Sequence, residues 1–224
     1  MLMLDRSFFE RDAMTVAQDL LGKVILHKSE DVWLCVKIIE TEAYFKSEKA
    51  SHASLGYTEK RKALFMSPGT IYMYFARGGD SLNFSCLGDG NAVLIKAGVP
   101  HSNVPYAKQM ISIMQKFNPI KNTKRERLPM KLCSGQTLLC RSLNLKVREW
   151  DQKQFDEKSF YVADVGYNPQ KIIQTKRLGI PPGRDEHLPY RFIDYDYAAF
   201  CTSNILKKRN SKPQEDYNII NKTI

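Results

Sequence analysis

The sequence predicts a single α+β domain built on a curved, mostly antiparallel β-sheet flanked by helices. Three observations point there. Short apolar runs of strand character mix with a few amphipathic helical stretches, without the strand–helix–strand rhythm of a parallel sheet. No internal repeat and no linker divides the chain. With 224 residues, 43% of them hydrophobic, the chain can bury one large core.

The elements follow in order. Met14, Val16, Ala17, Leu20 and Leu21 give Asp12 to Leu21 one apolar helical face, and Gly22 sits where a helix stop belongs. Lys23 to His27 and Val32 to Thr41 read as a hairpin around Lys28-Ser29-Glu30-Asp31. Leu34, Val36 and Ile38 share one side of its second strand. Unbroken alternation puts Glu40, Glu42 and Tyr44 on that same side, and a bulge would end this.

Phe45 to Lys62 is polar and irregular and holds His52. Ile71 to Phe75, Leu82 to Cys86 and Ala92 to Ala97 read as strands, the last two joined by a Gly88-Asp89-Gly90-Asn91 turn. Tyr106 to Phe117 has helical spacing, and Lys121 to Lys131 is a basic loop. Ser134 is placed to cap a helix through Leu143. Phe160 to Ala163 and Ile172 to Lys176 are late strands, and Pro181-Pro182-Gly183-Arg184 is a loop. The domain spans residues 1–204, and 205–224 reads as a polar, flexible tail.

Charge narrows the partners. Thirty-four Lys and Arg against 24 acids give a net charge of +10, either a solvated basic surface or a face that tracks phosphates. Five cysteines without a Cys-x-x-Cys pair read as reduced, mostly buried thiols, not as a disulfide framework or a zinc site. The N-terminal residues lack the pattern of a signal peptide, and no apolar run reaches the ~20 residues of a spanning helix. An intracellular protein in cytoplasm, nucleoid or nucleus, without membrane contact, is expected.

The chemistry concentrates in two runs, Ile39-Glu40-Thr41-Glu42-Ala43-Tyr44 and Pro68-Gly69-Thr70-Ile71-Tyr72-Met73-Tyr74, with Asn83 following. Glu42 closes an apolar strand beside a ring. Poor solvation there suits a water-activating base or a negative charge facing a developing cation. The plain alternative is an ion-pair partner for Lys37 or Lys96. Tyr44, Tyr72 and Tyr74 fit either a core or a stack around a heteroaromatic base. His52 is a loop histidine, exposed or pocket-lining. Asn83 inside an apolar strand needs hydrogen-bond partners from backbone or ligand. Lys96 interrupts Val93-Leu94-Ile95 to face a carboxylate or a phosphate.

In order, Glu-Thr-Glu-Ala-Tyr, a loop histidine, Phe65 to Tyr74, Asn83, Gly88-Asp89-Gly90, Val93 to Ala97 and Leu132-Cys133-Ser134-Gly135 resemble the alkyladenine (3-methyladenine) DNA glycosylase family. The resemblance runs from about Phe8 to about Asn204. It implies a base-excision-repair enzyme that flips a damaged purine out of the duplex and hydrolyses its N-glycosidic bond, leaving an abasic site. No metal or organic cofactor is implied, the partner is double-stranded DNA with damaged purines, and a monomer is expected.

Residue by residue, Glu42 matches the water-activating carboxylate. Tyr44, His52 and Tyr74 match the enclosure of the flipped base, and Tyr72 and Lys96 join them as substrate-binding candidates. Asn83 matches the amide that disfavours guanine. Lys96 stands where an arginine is usual. Arg77 stands near the family's wedge tyrosine, in a stretch about one residue shorter. Arg77, Lys124, Arg125 and Arg177 are the candidate DNA contacts. Two other functions compete: a non-catalytic basic module stacking tyrosines on distorted nucleic acid, and an enzyme of free nucleosides.

Overall fold

The computed structural model describes residues 1–76 and 78–222. β1 (Leu2–Met3) leads to α1 (Arg6–Phe9) and α2 (Ala13–Asp19), and the Asp12 carboxylate caps α2 by accepting from the Met14 and Thr15 amides. β2 (Val24–Ser29) and β3 (Val32–Tyr44) form the expected hairpin. Its loop tightens to Glu30 and Asp31, both at positive φ (48° and 62°), a twist that suits a two-residue hairpin. A 3-10 turn (His52–Leu55) and a longer one (Glu59–Phe65) occupy the polar stretch. Then come β4 (Ile71–Ala76), β5 (Gly79–Ser85), β6 (Ala92–Pro100), α3 (Ala107–Phe117), α4 (Gln136–Ser142) and α5 (Val147–Trp150). β7 (Phe160–Asp164), β8 (Lys171–Thr175), β9 (Arg191–Asp194) and β10 (Tyr217–Asn221) close the chain.

The ten strands form one open sheet in the order β1-β7-β2-β3-β6-β5-β4, from which β9, β8 and β10 branch off at β3. Every ladder between these strands is antiparallel. One core gathers α2, the inner residues of α3 and α4, and the central strands: Val16, Leu20, Met110, Met114, Leu139, Cys140, Val36, Ile38, Ala43 and Ile95 all belong to it. The α+β expectation therefore holds.

The branch point bends the sheet. The β3–β6 register breaks on either side of Glu40 and then resumes unchanged. Ile38 packs in the main core, but Ile39 joins Ala97 and Val99 in a separate cluster, and Glu40 bonds to Arg191. Past the break, Thr41 Oγ1 donates to the Ala17 carbonyl of α2, and Ala43 is back in the core. Two successive residues thus face away from the core. β6 does the same with Lys96 and Ala97, between core residue Ile95 and Gly98, which lies against Val36 and Leu139. Matching bulges cancel in register but reverse the alternation. Glu42 and Tyr44 therefore face away from the side held by Leu34, Val36 and Ile38, against the unbroken pattern.

Other departures have local causes. Ser134 does not cap α4: its hydroxyl donates to the Phe200 carbonyl at 2.5 Å, and Gly135 at φ 134° starts the helix. The segment after Asn204 is not a frayed tail throughout. Tyr217, Ile219 and Ile220 supply enough strand character for β10 to take the free edge of β8. Ile220 packs on the main core, and Lys222 Nζ reaches Asp19 at 2.6 Å. All five cysteines are buried free thiols. Among the described residues no helix is long and apolar enough to cross a membrane, and no cluster of His, Cys, Asp and Glu could hold a metal ion.

Candidate active site

Reversing the alternation delivers Glu42 to a cavity of about 350 Å³ between the far end of β3, the β4–β6 meander and the segment after β8. Tyr72 and Tyr74 stand two apart on β4, so their side chains share its cavity side, with centroids 5.6 Å apart. Asn83 lies opposite Tyr72 in the ladder and donates its amide to the Tyr72 carbonyl at 3.1 Å. His52 closes the aromatic wall. Its Nδ1 lies 2.8 Å from the Tyr72 hydroxyl, and its ring centroid lies 4.5 Å from that of Tyr74. Gly90, at φ 79°, packs so tightly on Ala53 that an added Cβ would lie 2.6 Å from the Ala53 Cβ. That contact seats the β5–β6 turn beside His52.

Glu42 is fully buried and lies one layer behind the cavity surface. Three groups that line the cavity point at its carboxylate. The Tyr44 hydroxyl donates to Oε2 at 2.9 Å, the Leu178 amide donates to Oε1 at 3.1 Å, and Lys96 Nζ stands 3.4 Å away. A carboxylate has about four lone-pair positions, so three donors leave room for another. Burial first, and then the negative charge of Glu42, hold the Tyr44 phenol well above its ordinary pKa, so it stays a donor. Burial, then Arg61 and Arg184, lower the pKa of His52, so its ring is neutral at pH 7.

The sequence model of the methylpurine-DNA glycosylase family matches residues 7–198. The chain belongs to this family. It is therefore an N-glycosyl hydrolase of DNA repair, and DNA is its partner. A relative from Pseudomonas syringae pv. tomato is 58% identical over 205 residues, covering 92% of each chain. One from Pseudomonas aeruginosa PAO1 is 56% identical over 217 residues, 97% of this chain and 90% of its own. One from Clostridium beijerinckii is 33% identical over 202 residues, 85% and 95% of the two chains. All three are provisionally named 3-methyladenine DNA glycosylases.

In this glycosylase Tyr44, His52, Tyr72, Tyr74, Asn83 and Lys96 line one cavity, and Glu42 sits behind it. Lys124 and Arg125 are exposed in their loop. Arg77 lies outside the described residues. Arg177 differs from expectation: its side chain is fully buried and paired with Glu48, so it presents no charge to a phosphate. Sequence reasoning missed Arg184 and the Leu178 amide. Arg184 lies in the glycine- and proline-rich segment after β8, a signal that could have flagged it. The amide is backbone, 136 residues from Glu42, and leaves no trace in composition.

Proposed function

We propose that the protein removes alkylated or deaminated purines from duplex DNA. The damaged base is flipped into the cavity among Tyr44, His52, Tyr72 and Tyr74, and its N-glycosidic bond is hydrolysed by a water held at Glu42. The observation that carries this is a ring-lined cavity of about 350 Å³ whose wall donates three hydrogen bonds to one buried carboxylate. Stacking contributes about 1–3 kcal/mol per base, enough to offset an extrusion cost of a few kcal/mol when the lesion already weakens pairing. As the bond breaks, positive charge grows on the sugar, and an anionic Glu42 stabilises it while orienting the water. In this reading Asn83, which lines the cavity, turns away guanine by opposing its 2-amino group. Exposed basic side chains, Lys124 and Arg125 among them, hold the backbone without reading sequence.

The test uses duplexes carrying one hypoxanthine, one ethenoadenine or one 3-methyladenine, followed by alkali. Wild type is expected to give breaks at the lesion. Glu42→Gln keeps lesion binding and loses cleavage by about 10²–10⁴-fold, the usual worth of a positioned base. Equal cleavage by the two proteins would remove Glu42 from the mechanism. Tight lesion binding by wild type without base release would make the protein a binding module instead.

A further inference from the structure

Arg177 carries a role that neither the family match nor the lining of the cavity assigns. It stands two residues beyond β8, and its side chain is fully buried. One guanidinium nitrogen donates to the Ala43 carbonyl at 2.9 Å, and another pairs with Glu48. Its Cζ lies over the Tyr44 ring, 4.4 Å from the centroid, and 5.4 Å from the centroid of Tyr190. Glu48 holds the turn that follows β3: its Oε1 accepts from the Phe45 amide, and its carbonyl accepts from Ser51, whose side chain caps the turn that begins at His52. The next residue after Arg177 is Leu178, whose amide bonds Glu42. One cation therefore touches the end of β3, the face of a cavity tyrosine, the turn leading to the cavity histidine and the segment that holds the carboxylate.

We infer that Arg177 is a positioning residue: its guanidinium fixes the Tyr44 ring and the Glu48 turn relative to Leu178, and so sets the geometry of the donors around Glu42. The inference rests on the role proposed above for Glu42. Lysine cannot replace this function, because a point charge lacks the plane that stacks on a ring and the fork that serves two acceptors at once.

Two variants test it, Arg177→Lys and the double replacement Arg177→Met with Glu48→Met. The second removes both charges, so no lone ion is left buried. Three quantities are read: single-turnover excision from a hypoxanthine duplex, affinity for undamaged duplex as a function of salt, and the thermal midpoint. Arg177→Lys should slow excision at saturating enzyme at least tenfold, while undamaged-duplex affinity stays within about twofold and its salt slope does not change. The double variant should melt near wild type and stay slow. A salt slope reduced by about one phosphate contact with intact excision would make Arg177 a DNA contact and overturn the inference. Excision restored in the double variant together with stability would overturn it too, because the role would then be structural. A crystal structure of Arg177→Lys decides the geometry independently of turnover: the Tyr44–Glu42 bond should be broken, and an unmoved Tyr44 refutes the assignment. If wild type itself releases no lesion, the Glu42 mechanism fails, and that crystal structure still judges Arg177.

Discussion

Two glutamates stand two residues apart on β3, and their partners assign them different work. Glu40 accepts from Arg191 Nε and from the Thr202 amide, both at 2.7 Å, the short range of charge-assisted bonds. Glu42 has a neutral phenol at 2.9 Å, an amide at 3.1 Å and an ammonium at 3.4 Å. The lysine contact is too long to be a strong charge-assisted bond. A residue present only to neutralise Lys96 would be expected to hold it closer. Histidine 52 gives a prediction at this scale. Its folded-state pKa is lowered, chiefly by burial, so folding favours the neutral ring. That contribution is complete above about pH 6.5 and is lost as pH falls through the folded value. An NMR titration of the His52 ring should therefore show a midpoint below 6.5, and a midpoint at or above it would contradict the packing described. Glu42 and the three tyrosines were legible in sequence because each lies within a short local run. Lys96 was readable as a possible ion-pair partner of Glu42, but the Leu178 amide was not, since it is backbone that arrives from the segment after β8.

At the scale of elements, the matched bulges in β3 and β6 decide where the carboxylate points, and the buried Glu40–Arg191 pair sits at the bulge in β3. Removing one member leaves a buried charge without its partner, which costs about 3–5 kcal/mol. Glu40→Leu should lower unfolding free energy by that amount in urea denaturation. Replacing both residues with methionine should recover most of it, because a packed apolar pair of similar volume is often neutral. A loss below about 1 kcal/mol in the single variant would mean that the bulge holds without the pair. Strand alternation was a sound guide from Leu34 to Ile38 and failed at Ile39, because a bulge depends on what the neighbouring strand does. β10 escaped for a related reason: Asn218 and Asn221 interrupt its apolar residues, and pairing with the edge of β8 makes a strand of it.

For the whole molecule, the excess of basic residues is the property most easily perturbed without touching the cavity. Lys124→Glu with Arg125→Glu should weaken binding to undamaged duplex and reduce the slope of log affinity against log salt by about two, at roughly 0.9 per lost phosphate contact. Single-turnover excision at saturating enzyme should hold. An unchanged slope would remove this loop from the interface. The fold class was readable because helix and strand periodicities are written locally along the chain. The branching of the sheet at β3 was not, because one edge of a single strand serves β2 first and β9 afterwards, and only the assembled sheet shows the change of partner.

The sealed thiols have a chemical meaning for an enzyme of this family. Reagents that methylate ring nitrogens of purines also attack sulfur, and they do so through the thiolate. Burial pushes Cys35 and Cys201 to about 11 and Cys133 to about 12, and lifts Cys86 and Cys140 further still. At neutral pH these five positions therefore offer an electrophile very little sulfur anion.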